Sequence, residues 1–444
     1  MRSYILAGSG EHEMMHLGWF LKGGIGVQNW KGGWTGDIAT SWMHPDLYID
    51  MARALEGACF DYMMIEDSVM IRDTYNDSME FALSRAVSAP KNDPMPMVPL
   101  IAQGTSRIGI IATMSTSFYH PFHAARLGAT LDHLTRGRVG LNLVTGSAHR
   151  SAQNFGYDMH FEHDHRYEMA HEWVEVVDAL WNSWEPGAVI ADEERGVYTD
   201  YTKVHPIHFE GKFYKCRGPL NTCPGPQRRP VICQAGGSNA GRAFAARHAD
   251  TIVVGVAGIP AMKAYRDDLS ERMRGFGRNP KDCKLLFLIQ PVLGDTDGEA
   301  KEKLERQRKA EAEDLDLRLS NFSYVSGIDM GQFDLDQPLP DIRDKVNGHK
   351  SVVDEYVRSG KSLREMLKYS PLDAIDLVGT PDSVAAQMGE IMDEVGGDGY
   401  LISNGVTRKS IGEIAGGLAP ALKRRGLMRK RYGHELFRDN LLEF

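Results

Sequence analysis

The stretch IGIIATMSTSFYHPFHAARLGATLDHLTRGRVGLNLV, residues 108–144, contains the unit that decides the fold. Its ends, 108–114 and 139–144, are short apolar runs suited to buried parallel strands, and 124–134 between them carries a helical pattern. Working outward, further strand-like runs are expected at 3–7, 60–66, 230–234, 251–256, 285–292 and 399–403, which makes eight in all. Amphipathic stretches follow at 45–56, 241–248, 261–276 and 381–395. The clearest is 166–184, where Met169, Trp173, Val176, Val177, Leu180, Trp181 and Trp184 recur at helical spacing behind Asp164 as the expected cap. Eight strands alternating with helices predict an α/β fold, a TIM-type (β/α)8 barrel, with a doubly wound open sheet as the runner-up.

The whole chain, 1–444, reads as one such domain with two insertions, 185–229 and 309–373, whose spacing is too long for plain connections. Long loops on the strand-end face of a barrel form a substrate pocket or its lid. With 51 basic and 60 acidic residues the formal charge is -9, and the basic residues are scattered, so no nucleic-acid or membrane footprint is present. Five cysteines without CxxC spacing read as reduced thiols. MRSYILAGSGEHEMM lacks the apolar core of a signal peptide, and no apolar run approaches the roughly 18 residues of a membrane span, so a cytoplasmic protein is expected.

Catalytic residues of a barrel sit where strands end. Polar residues fall there in series: Asp67 after the second run, Thr113, Ser115 and Thr116 in and after the third, and Asn142, Thr145, Gly146 and Ser147 at the fourth. The fifth run ends in QAGGSNAGR, which brings the backbone N–H groups around Gly236, Gly237, Ser238 and Gly241 to a helix start. That suits a phosphate, although ordinary turn chemistry reads the same way. In HFEHDHRYEMAHEW, His163, His165, Tyr167 and His171 invite a metal, but neither HExxH nor a nearby cysteine supports one. A shared hydrogen-bonding face for His163 and Tyr167, four residues apart, competes with a capped helix bearing solvated histidines. His12 and His16 show the same spacing after the first run and read equally as loop histidines.

The blocks FDYMMIEDS (60–68), residues 112–146, NFG (154–156), HDHRYEMAHEWVEVVDALWNSW (163–184), residues 218–250 and VGTPDSVAAQM (378–388) resemble the bacterial-luciferase-like monooxygenases. Within them the resemblance is to the group of nitrilotriacetate monooxygenase component A, dibenzothiophene sulfone monooxygenase and long-chain alkane monooxygenase, in order over nearly the whole chain. It implies a barrel that binds reduced FMN supplied by a separate NAD(P)H:flavin reductase, forms a flavin C4a-(hydro)peroxide with O2, and oxygenates a small organic substrate. It also implies a homodimer or homotetramer. Flavin contacts carried over by motif fall on Asp67, Thr113, Asn142, Thr145, Ser147, His163, Tyr167, Gly237 and Ser238. His12, His16 and His163 are the candidates for supplying a proton or hydrogen bond to the oxygen adduct, and no metal is expected.

Leu141, Gly146 and Val325 depart from residues common in relatives, which leaves the substrate open, and these departures are expected to fall in the pocket. The same barrel supports other functions: a deazaflavin-dependent dehydrogenase, an enzyme whose substrate is itself a flavin or similar heterocycle, or a flavin-binding protein without catalysis.

Overall fold

Eight strands are arranged in chain order: β1 (His16–Leu21), β2 (Tyr62–Ile65), β3 (Gly109–Ser115), β4 (Val139–Val144), β5 (Val231–Gln234), β6 (Thr251–Val254), β7 (Lys284–Ile289) and β8 (Gly399–Ile402). All neighbours are parallel, and β1 closes the ring by pairing Gly18 with Tyr62 of β2 and His16 with Gly399 of β8. The computed structural model describes residues 13–27, 41–346, 350–367 and 375–444. The closed parallel barrel excludes the open sheet.

The first strand is not the expected one. Residues 3–7 lie outside the described residues, and HLGWFL, which reads as loop, supplies β1. Its pattern is two-sided: Leu17, Trp19 and Leu21 pack outward among the helices, whereas His16, Gly18 and Phe20 alternate inward. A histidine and a glycine on the inner face hide the β signal.

Eight helices follow the strands: α1 (Asp46–Gly57), α2 (Pro94–Gln103), α3 (Pro121–Leu134), α4 (His163–Trp181), α5 (Asn239–His248), α6 (Ile259–Gly275), α7 (Pro381–Val395) and α8 (Ala419–Arg424). Glu162, not Asp164, caps α4, its carboxylate accepting from the N–H groups of Asp164 (2.8 Å) and His165 (3.2 Å). Trp173 and Trp181 lock α4 against α3: both are fully buried, and their indole N–H groups donate to the carbonyls of Tyr119 (2.7 Å) and Ala125 (2.9 Å).

Inside the barrel, Tyr62, Met64, Ile111, Val231, Cys233, Val253, Leu286, Leu288 and Leu401 form a packed core, plugged from the N-terminal end by Phe437 and Leu441. Gly109 makes room for this plug, since a Cβ there would stand 2.5 Å from the Phe437 ring. Beside the plug, Asp61, Asp250 and Asp398 each accept from a backbone N–H at the start of a neighbouring strand, those of Leu17, Ile232 and Leu285, all at 2.8 Å. Arg429, Arg438 and Arg266 respectively neutralise the three carboxylates. The N-terminal end is thus closed by apolar packing and paired charge.

The segment between α4 and β5 is rooted on that same side, not on the strand-end face. It forms two hairpins, Val189–Asp192 with Val197–Thr199 and Phe209–Glu210 with Lys215–Cys216. The second climbs along α4, where Glu172 accepts from the N–H groups of Lys212, Phe213 and Tyr214. The segment between β7 and α7 leaves from a strand end. It carries helices Asp297–Glu313 and Leu315–Ser326 and a small core of its own that includes Leu319, Phe322, Met330 and Ile342.

Candidate functional site at the strand ends

Thr113 and Asn142 project from neighbouring positions on β3 and β4, paired in register. The Thr113 hydroxyl donates to the Ile65 carbonyl (2.7 Å), and Asn142 Nδ2 donates to Thr113 Oγ1 (2.9 Å). Both side chains are buried. Two residues past Ile65 lies Asp67, whose carboxyl is pushed up to about 6 by burial and by the charge of Glu66, with Lys91 opposing only in part. Lys91 is already engaged, donating to Glu66 (2.9 Å) and Ser68 (3.1 Å).

Three residues beyond Asn142, Thr145 meets a second group. The Tyr167 hydroxyl sits among Ser238, Thr145 and Gln234; burial raises its pKa, and hydrogen bonds to those three side chains partly oppose the shift. A Cβ on Gly241 would stand 2.9 Å from that hydroxyl and 3.2 Å from Ser238 Oγ, so this glycine leaves the space in which α4 and α5 meet. Ser238 caps α5, accepting from Gly241 N–H (3.1 Å). The Gly237 carbonyl accepts from Arg242 (3.1 Å), and that of Gly236 from Tyr265 (2.7 Å), which fixes the glycine turn. His163 lies one turn before Tyr167, with ring centroids 5.3 Å apart. Its Nδ1 donates to Asp164 (2.6 Å), which leaves Nε2 as the ring atom open to a further hydrogen bond.

Thr113, Asn142, Thr145, His163, Tyr167, Gly237, Ser238 and Asp67 therefore share the strand-end rim. Ser147 lies on its outer side, in a cleft of about 420 Å³ shared with Arg150, Tyr324 and Lys345. Tyr324 belongs to the β7–α7 segment, which Arg72, Tyr75 and the Arg85–Asp314 ion pair hold over the rim. Arg72 stacks 4.0 Å over the Tyr324 ring and donates to Asn321 (2.6 Å), and Tyr75 donates to Asp316 (2.8 Å).

His12 lies outside the described residues. His16 does not belong to this site. It stands at the start of β1, five strand residues or roughly 16 Å from the rim, with Nδ1 donating to Asp61 (2.8 Å) and its ring stacked 4.3 Å from Phe444. A histidine beside an apolar run reads the same at either strand end, and here the run begins with it. Burial pushes Asp61 up, but His16 and Arg429 outweigh it and hold the carboxyl below its ordinary range. His16 is part of the plug. The histidines of HDHRYEMAH also diverge: His165 packs against Phe213, and His171 pairs with His248 at 2.8 Å. Among the described residues no cluster of three or more metal-ligating side chains exists.

Two members of the rim escape sequence reasoning. Gln234, the last residue of β5, is 2% exposed. His160 is 5% exposed, and burial together with the charge of Arg166 pushes it down to about 4. Its Nδ1 accepts from Phe161 N–H (3.1 Å), so Nε2 donates to the Thr145 carbonyl (3.0 Å), tying the β4 loop to the start of α4. Gly146 makes this possible. It has φ +72°, and a Cβ would stand 2.9 Å from His160 Nε2, which accounts for glycine at this departure from relatives. Leu141, a second departure, points away from the pocket into the packing beneath α3, where a Cβ on Gly128 would meet it at 3.4 Å.

Buried polar atoms without partners show whether a ligand is wanted. Among the described residues, Asn142 Oδ1, Ser115 Oγ and Gln234 Oε1 have none. Each costs about 1–3 kcal/mol if left so. Three such atoms at one rim, beside a serine-capped helix N-terminus, fit a polar ring system with an anionic tail, as in a flavin mononucleotide.

The comparisons with known proteins agree. The model of the family described as luciferase-like monooxygenase matches residues 15–399. The long-chain alkane monooxygenase of Geobacillus thermodenitrificans is 34% identical over 90% of each chain. Nitrilotriacetate monooxygenase component A of Aminobacter aminovorans is 32% identical over 97% of each. The crystal structure of a riboflavin lyase with modified FMN and riboflavin superposes with a TM-score of 0.88 at 26% identity, covering 97% of this chain and 96% of that one. With the family match spanning residues 15–399 and relatives above 30% identity covering most of both chains, this chain belongs to the luciferase-like monooxygenase family and is a flavin-dependent monooxygenase.

Proposed function

We propose that this chain is the oxygenase subunit of a two-component system, binding reduced FMN delivered by a separate NAD(P)H:flavin reductase and using O2 to oxidise a small organic substrate. The observation that carries the reading is the joining of Thr113–Asn142 to Thr145–Tyr167–Ser238 along one rim that ends in a helix N-terminus. A relative named as component A of its monooxygenase supports the partner.

Ser238 and the N–H groups at the start of α5 hold the phosphate. Thr113, Asn142, Thr145, Tyr167 and Gln234 would hold the ring, with Asp67 and His163 available beside them. Reduced flavin, when bound, supplies the electrons with which O2 is cleaved between substrate and water. The protein supplies the surroundings. His163 Nε2 offers a hydrogen-bonding atom to the site, and the segment carrying Tyr324 limits access of water. Donors and acceptors fixed in a dry pocket act more strongly than the same groups in water.

The riboflavin lyase neighbour favours a second reading in which the organic substrate is itself a flavin or a similar heterocycle. Oxygen uptake with FMN, NADH and an added flavin reductase tests both readings. Faster uptake on adding one of a panel of alkanes, sulfides, amines and riboflavin, with the added oxygen recovered in product, is expected. Uptake that no panel member changes, with all oxygen recovered as H2O2, contradicts the proposal.

A further inference from the structure

We propose that Asn142 discriminates the redox state of the coenzyme: its amide oxygen is locked as an acceptor, and so recognises an N–H that the isoalloxazine carries only when reduced. This rests on the flavin reading above and adds to it the residue that chooses between two forms of the same ligand.

The lock follows from counting protons. Thr113 has one hydroxyl hydrogen, and the Ile65 carbonyl 2.7 Å away can only accept, so that hydrogen is committed to it. Thr113 Oγ1 is left as an acceptor, and the Asn142 atom 2.9 Å from it is therefore Nδ2. Oδ1 faces the other way and has no partner among the described residues, in a side chain 3% exposed. Turning the amide over would set two oxygens against each other at hydrogen-bond distance. The chain from Ile65 through Thr113 thus removes the freedom that lets an asparagine serve either a donor or an acceptor.

An acceptor that cannot turn selects its ligand. Oxidised isoalloxazine presents bare lone pairs at N1 and N5, which repel a carbonyl oxygen. Two-electron reduction places hydrogen on N5 and, in the neutral form, on N1, and either N–H satisfies Asn142 Oδ1. The N3–H exists in both states and cannot discriminate. The oxidised coenzyme is then the weaker ligand, which suits a chain that must exchange it with a separate reductase.

Anaerobic titration with FMNH2 and aerobic titration with FMN, followed by fluorescence on the full chain, measures the ratio of the two Kd values. Wild type is expected to favour FMNH2. Asn142→Ala should cut that preference about tenfold, one hydrogen bond's worth, mainly by weakening FMNH2. Thr113→Val, which keeps Asn142 but frees its amide to turn, should cut the preference by strengthening FMN. Equal weakening of both forms in Asn142→Ala, or an unchanged ratio in Thr113→Val, overturns the inference while leaving the flavin site standing. Failure of wild type to bind either form overturns the flavin reading itself.

Discussion

Both ends of this barrel are lined with buried polar side chains, but their acceptors fare differently: at the N-terminal end a donor, Arg429 Nε, lacks a hydrogen-bond partner among the described residues, whereas the carboxylates do not. At the N-terminal end every carboxylate is matched: Asp61 receives His16, Leu17 N–H and Arg429, and Asp250 receives Ile232 N–H, Arg229 and Arg438. At the strand ends Asn142 Oδ1, Ser115 Oγ and Gln234 Oε1 are unmatched among the described residues, and Asp67 is held half-protonated near pH 6. Polar groups that satisfy one another build structure, whereas polar groups left wanting are held ready for something else. Residue type does not separate the two cases. His16 and His163 are both buried beside an aspartate, yet only His163 faces the rim.

The sharpest break in this comparison is expected at Asp61. Asp61→Ala leaves Arg429 and His16 buried without their carboxylate and should cost about 3–5 kcal/mol of stability. Urea unfolding would show it, while the folded fraction keeps its affinity for FMNH2. A loss of affinity with stability intact would place this cluster in the site after all.

A smaller effect is expected from Asp67, with the opposite sign. Its folded pKa, about 6, lies above its ordinary 3.8. As pH rises through this window the unfolded carboxyl ionises first, so stability is lost, on the order of 2 kcal/mol after allowance for solvent screening. Asp67→Asn should therefore stabilise the protein at pH 7 and leave it unchanged at pH 4. His160, pushed down to about 4, works against this, since stability falls as pH drops below its ordinary 6.5. Thermal unfolding of wild type and Asp67→Asn from pH 4 to 7 separates the two contributions. Identical profiles would show that Asp67 is not perturbed by its surroundings.

The smallest effect on stability, and the most specific on binding, belongs to His163. His163→Ala should alter stability by less than about 1 kcal/mol, because its Nδ1 partner Asp164 is exposed. It should weaken FMNH2 binding about tenfold or raise the share of oxygen released as H2O2. Wild-type affinity together with wild-type coupling would remove His163 from the site.

Much of this was legible in the chain. Seven strands appear within a few residues of their expected places because alternation and apolar runs report burial directly. The eighth, β1, is hidden because its inner face is filled by His16, which stacks on Phe444, Gly18, which leaves room for Tyr62 and Leu401, and Phe20, a mixture that does not look like strand. That misplacement made His16 a rim candidate. The positions of the rim residues on β3, β4, α4 and α5 are legible because strand ends and a glycine-rich turn mark themselves in sequence, and the resemblance to relatives points to the same positions. His160 and Gln234 carry no such mark. His160 matters through Gly146 and Thr145, and only the fold brings these together. The choice of Glu162 over Asp164 as the α4 cap likewise turned on where the helix begins, a matter of two residues.

Hydrogen exchange with and without FMNH2 under anaerobic conditions tests the central claim most directly, because it reads both ends of the barrel at once. Slower exchange in 113–117, 142–147 and 236–242, with no change in 60–62 or 429–441, is the predicted result. Protection at the N-terminal end, or none at the strand ends with reduced coenzyme in excess, would contradict it.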